Sequence, residues 1–191
     1  GFNITVTSLS PKDMEYKGIE VIDNLPSTYR NAKNQAIYGV NVITDGSSNA
    51  ITLDELSINA SVLTGSDQVT NVRLYRGDQF TDDALLATAS SVGANLAASN
   101  VTLKSGNNKF IVVADILPDA TGDIPSLQFV SASVAGVACT PATTTGNAVT
   151  IDNTILMPSE ATTFTIDDAA HFYDDGGIDG LHPADVELQR T

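Results

Sequence analysis

Extended-chain periodicity constrains this sequence more than any other feature. In the segment 108–116, NKFIVVADI, the residues Phe110, Val112, Ala114 and Ile116 fall on one side of a strand, because successive side chains of an extended chain point to opposite faces. In VTNVRLY, Val72 and Leu74 point one way and Asn71, Arg73 and Tyr75 the other. Similar β-branched runs recur, giving candidate strands at 2–9, 36–44, 50–61, 69–76, 84–90, 109–116 and 127–136. Between them lie TDGSSN, LTGSDQ, KSGNN and PDATGD, rich in the Gly, Asn and Asp that tight turns need. One apolar and one wet face per strand, with a strand starting every ~10 to 15 residues, predicts an all-β fold. The expected form is an antiparallel β-sandwich, immunoglobulin-like or jelly-roll-like, with a short C-terminal β extension. Only the Ala-rich SSVGANLAASN suggests another state, and Gly93 argues against a stable helix there.

The texture changes along the chain. Residues 1–141 read as the sandwich. The Thr- and Pro-rich stretch 142–160 reads as a linker or an edge strand. Residues 161–191 form an acidic, Gly-containing segment that reads as the stub of a second β domain. GIEVID and GVNVIT are similar, but two short strand pieces do not establish a repeat.

Charge narrows the partners. The formal net charge is −14; residues 1–109 hold 8 Lys/Arg against 11 Asp/Glu, and residues 110–191 hold 1 against 12. An acidic surface repels phosphate backbones, so nucleic acid is excluded as a partner. Such acidity suits solubility outside a cell, which points to an extracellular, periplasmic or cell-surface setting. No apolar run approaches the roughly 18 residues of a membrane-crossing helix, so no membrane insertion is expected. Cys139 is the single cysteine, flanked by apolar residues in GVACTP, and reads as a buried structural thiol. With only His171 and His182 beside it, it cannot complete a structural zinc site.

Three short motifs carry possible chemistry. Arg76-Gly77-Asp78 spells a tripeptide that integrins recognise, but at the end of a strand it reads as a turn. The stretch FYDDGGIDG places Asp174, Asp175 and Asp179 around three glycines. Glycines let carboxylates and carbonyls converge on an oxygen-seeking cation, so these three are the candidate calcium ligands. The spacing is not that of an EF-hand loop, and an Asp-capped hairpin turn explains it equally well. No cofactor other than calcium is suggested. Asn3, Asn59 and Asn100 begin N-x-Ser/Thr sequons, which a Ser/Thr/Asn-rich composition produces by accident.

The order of features from Tyr38 onward carries a resemblance. YGVNVITDGSSNAITLDELSINAS is followed by VTNVRLYRGDQF, and then by NKFIVVADILPDATGDIPSLQFVSASVAGVACTP. This series resembles the non-catalytic N-terminal β-sandwich domain associated with bacterial BNR-repeat sialidases, over about residues 36–141. The resemblance implies that Leu74, Tyr75, Gly77 and Phe80 form a strand end and its turn, with Arg76 and Asp78 as tolerant turn positions. It also implies a non-catalytic accessory module whose partners are a neighbouring glycan-active domain of the same chain and a glycan. The acidic stretch resembles the opening strand and turn of CUB-like modules in secreted bacterial proteins.

Catalytic machinery is not legible. A sialidase propeller needs an arginine cluster, a Tyr nucleophile with its Glu, and Asp-boxes ending in Trp. The sequence has no Trp and four scattered arginines, Arg30, Arg73, Arg76 and Arg190. Neither histidine lies near a Gly-x-Ser-x-Gly elbow. Asp54-Glu55 and Asp82-Asp83 are adjacent pairs, which on a strand face opposite ways. The rival function is a stand-alone carbohydrate-binding or adhesive module. Sugar binding usually wants a planar ring, and Tyr38, Tyr75 and Phe80 are the central candidates.

Overall fold

The computed structural model describes residues 10–152 and, by their backbone, two short strands at Phe164–Ile166 and Leu188–Arg190. The chain divides into two compact units, residues 1–155 and 156–191.

The first unit is an antiparallel β-sandwich. Its strands are β1 (Glu15–Val21), β2 (Gln35–Asp45), β3 (Thr52–Asn59), β4 (Val69–Arg76), β5 (Leu85–Thr88), β6 (Leu96–Thr102), β7 (Gly106–Ile116), β8 (Asp123–Ile124), β9 (Gln128–Val134), β10 (Val137–Cys139) and β11 (Val149–Thr150). One sheet has the order β1-β2-β7-β4-β5, the other β10-β9-β3-β6, and β11 pairs with β8. The chain crosses repeatedly between the sheets, so most strand neighbours are distant in sequence. The alternation read in the sequence is what builds the core. Phe110, Val112, Ala114 and Ile116 of β7 pack with Val72 and Leu74 of β4 and with Leu53, Leu56 and Ile58 of β3. Burying such side chains is the main favourable contribution, about 1.5–3 kcal/mol for each large aliphatic.

Several expectations are refined. The similar segments GIEVID and GVNVIT are partners: β1 and β2 pair antiparallel, with Ile19 opposite Val42 and Val21 opposite Val40. The Ala-rich stretch supplies β6, paired to β3 with Leu96 opposite Ile58. Gly93 precedes it at φ +87°, and a Cβ there would collide with Thr64. The expectation of one wet face fails for β7. Ile111 and Val113 join Tyr75 in a second buried cluster on the outer side of the five-stranded sheet. Phe80, Ala84, Ile22 and Ala36 pack onto that cluster, so this face is roofed by the protein's own loops and strand ends.

The sandwich also extends past Pro141. Tyr38 donates to the Thr144 carbonyl at 2.9 Å, and the Phe129 amide donates to the same oxygen at 2.8 Å. Val149 and Ile151 are buried in the main core. Thr28 and Ile151 form a parallel bridge, secured by bonds from the Thr28 amide to the Thr150 carbonyl and from the Asp152 amide back to the Thr28 carbonyl. Residues 142–152 therefore lie along the sandwich rather than linking away from it. In the second unit, β12 (Phe164–Ile166) and β13 (Leu188–Arg190) pair antiparallel. The candidate strand at 2–9, Asn3, His171 and His182 lie outside the described residues.

Candidate functional site

The calcium candidates Asp174, Asp175 and Asp179 also lie outside the described residues. Among the described residues, no group of three or more His, Cys, Asp or Glu side chains is arranged to hold a metal. No helix among them is long and apolar enough to cross a membrane.

The aromatic candidates separate by burial. Tyr38 is 1 % exposed and its hydroxyl is committed to Thr144. Burial pushes that phenol up to about 12. Tyr75 is 4 % exposed and lies under Phe80, their ring centroids 5.5 Å apart at 52°. Tyr75 and Phe80 thus meet each other and do not present a flat open ring to a sugar.

Arg76-Gly77-Asp78 ends β4. Gly77 takes φ +81°, which favours glycine, and its amide donates to the Lys109 carbonyl of β7 at 2.7 Å. Asp78 is exposed and 3.8 Å from Lys109 Nζ. The tripeptide is a strand-end turn closed onto its neighbouring strand.

The adjacent carboxylates are occupied structurally. Asp54 Oδ2 accepts from the Gly136 amide at 2.7 Å and so braces the β9–β10 hairpin. Glu55 accepts from the Ser131 hydroxyl at 2.6 Å across strands. Asp82 and Asp83 lie in a short 3-10 turn, Asp82–Ala84, rather than on a strand.

Asp115 is the one buried carboxylate among the described residues. Its Oδ1 accepts from Arg73 at 2.9 Å and from the Asn34 amide at 3.1 Å; its Oδ2 accepts from Asn71 at 2.9 Å. Lys33 Nζ is 3.6 Å away. Burial alone would push this carboxyl up, but the Asn71 amide, the Asn34 N–H, Arg73 and Lys33 together bring it below its ordinary range. The arrangement depends on a bulge in β4, where Asn71 takes φ +51° and its side chain reaches Asp115.

Two adjoining grooves open at the far end of the same sheet. One, of about 350 Å³, is lined by Arg76, Thr81, Asp83, Lys104, Asn107 and Lys109, among others. The other, of about 410 Å³, is lined by Glu20, Asp23, Asn41, Asn107 and Lys109. Lys109 and Asn107 are common to both, so a cationic groove meets an acidic one along β7. Asn41, 6 % exposed, donates to Glu20 and Asn107 at 2.9 and 3.2 Å. Sequence reading missed this juxtaposition. Arg76, Lys104 and Lys109 were visible as cations at strand ends, but only the pairing of Arg76 with Phe110 sets Arg76 beside Lys109.

Comparison with known proteins adds no relative: no family model matches the chain, and no curated protein matches its sequence. The likeness to a sialidase-associated domain rests on the order of motifs in residues 36–141 alone.

Proposed function

We propose that the chain is a non-catalytic accessory module of a secreted or cell-surface protein, positioning a neighbouring glycan-active domain such as a sialidase. The observation that carries this reading is the state of Asp115. A general acid needs a carboxyl held near neutrality and open to substrate. The buried carboxylate of this sandwich is instead held ionised, with both oxygens engaged by Arg73, Asn71 and the Asn34 amide. It ties β4 to β7 and to the turn before β2. The motif order of residues 36–141 supports the same role.

The test is a fusion. Joined to a soluble glycosidase, the module should raise hydrolysis of immobilised or mucin-type glycans and leave hydrolysis of a small soluble glycoside unchanged. The module alone should release no sugar. Sugar release by the re-purified chain, or no effect of the fusion on any substrate, would reject the reading. A second reading, a stand-alone carbohydrate-binding module, is favoured by the cationic groove beside Lys109.

A further inference from the structure

We infer that the groove between Arg76, Lys104 and Lys109 binds the carboxylate-bearing sugar of an acidic glycan. The inference deepens the glycan-binding reading and rests on it.

The first observation is where unpaired positive charge sits. Among the described residues, Lys12, Lys17, Lys33, Arg73 and Lys109 each form an ion pair with a nearby carboxylate. Arg30, Arg76 and Lys104 form none with any described residue, and the last two line this one groove. On a chain of net charge −14, two uncompensated cations converging on one concavity are attracted to an anion that the rest of the surface repels.

The second observation is how firmly the cations are placed. Lys104 belongs to the turn between β6 and β7, and that turn is held from beneath by a buried amide. Asn108 is 5 % exposed. It accepts from the Lys104 amide at 2.8 Å and donates to the Lys104 and Gly106 carbonyls at 2.8 and 3.2 Å. Thr44 Oγ1 donates to the Lys104 carbonyl as well, at 2.6 Å. Arg76 is the last paired residue of β4, and Lys109 lies within β7. All three cations therefore rise from fixed backbone, which lowers the ordering cost of binding.

The third observation separates a sugar from a bare anion. Asp83 and Thr81 form part of the lining, with the amide of Asn107 beside them. Asp83 repels any anion set against it, the sugar's own carboxylate included, but a bare sulfate has no hydroxyl to donate to that carboxylate. Asp83 accepts hydrogen bonds from sugar hydroxyls, as do the threonine and the amide. Arg76 and Lys104 supply charge-assisted donors to the carboxylate, with the guanidinium able to grip both oxygens. The volume, about 350 Å³, lies at the small end for ligand pockets and suits one sugar unit.

The experiment is an amide-shift titration of the full 191-residue chain with methyl glucuronoside, methyl glucoside and inorganic sulfate in parallel. The glucuronoside should shift Gly77, Thr81, Lys104 and Asn107 saturably, and added salt should weaken it. Arg76→Gln and Lys104→Gln should each weaken binding about tenfold, the loss of one charge-assisted hydrogen bond. Lys17→Gln, on the exposed edge of β1, should leave binding unchanged. Each variant is accepted only if its melting temperature matches the parent. An equal response to glucoside and glucuronoside, an equal response to sulfate, or the same loss in Lys17→Gln overturns the inference. Each outcome is read without a neighbouring domain, so it stands or falls apart from the fusion test.

Discussion

Two buried polar side chains make the stability of the fold depend on pH. The Asp115 carboxyl lies below its ordinary value of 3.8 in the folded protein. Its contribution to stability is therefore present above 3.8 and is lost as pH falls through the lower folded value. Replacing it takes this acceptor from Arg73 Nη2, the Asn71 side chain and the Asn34 amide. Asp115→Ala should cost about 2 kcal/mol at neutral pH, and the difference from the parent should shrink in acid well below 3.8. Denaturant midpoints at several pH values check both parts. Tyr38 behaves in the opposite sense. Its hydroxyl is raised from 10.0 to about 12, so the folded state holds this proton longer than the unfolded chain. Stability tied to it is intact below 10 and declines as pH rises towards 12. Tyr38→Phe should cost about 1 kcal/mol at neutral pH, by leaving the Thr144 carbonyl with the Phe129 amide as its remaining donor. The same change should flatten the alkaline decline. Tyr16, raised to about 12 by burial and then by the neighbouring Cys139 thiol, should keep part of that decline in place.

At the scale of elements, the turn after β4 decides the meaning of Arg76-Gly77-Asp78. Gly77 is bonded to β7 and Asp78 faces Lys109, so the tripeptide is held by the sheet rather than displayed on a free loop tip. Asp78→Ala should leave integrin-dependent cell attachment unchanged, as measured with the parent and the variant coated at equal density. A selective loss in the variant would show the tripeptide to be a ligand. What the sequence revealed follows the same logic. The bounds of Val69–Arg76 were legible to the residue, because a β-branched run between the turn at Gly65 and the turn at Gly77 marks both its ends. The outer face of β7 was not, because Ile111 and Val113 read as excess apolar character until Tyr75 and Phe80 are known to cover them. β6 was hidden by alanines that favour helix, and pairing with β3 overrode that preference. The Asp115 cluster and the cationic groove were invisible for a common reason. Each joins residues tens of positions apart through strand register, and the bulge at Asn71 shifts that register by a step no periodicity announces.

For the whole molecule, the extent of the sandwich matters more than its class. A chain ended at residue 141 loses Val149, Ile151 and the bridge to Thr28. Two buried aliphatic side chains are together worth about 3–6 kcal/mol, a large share of the margin of a typical domain. Such a truncation should melt far lower or fail to fold, whereas one ended at residue 155 should keep the parent's cooperative transition. Calorimetry of the two truncations separates the cases. The position of Cys139 has a further use. The thiol is buried on β10, an edge strand, beside Tyr16 of β1 at the edge of the other sheet. A thiol-reactive dye can reach it only when that seam parts. With no other cysteine to compete, the labelling rate is a clock for opening at one defined place. Where reclosing is fast, the rate divided by that of an exposed thiol gives the fraction of time the seam stands open. The protein thus carries its own probe of breathing between the sheets, readable under native conditions and without engineering a single residue.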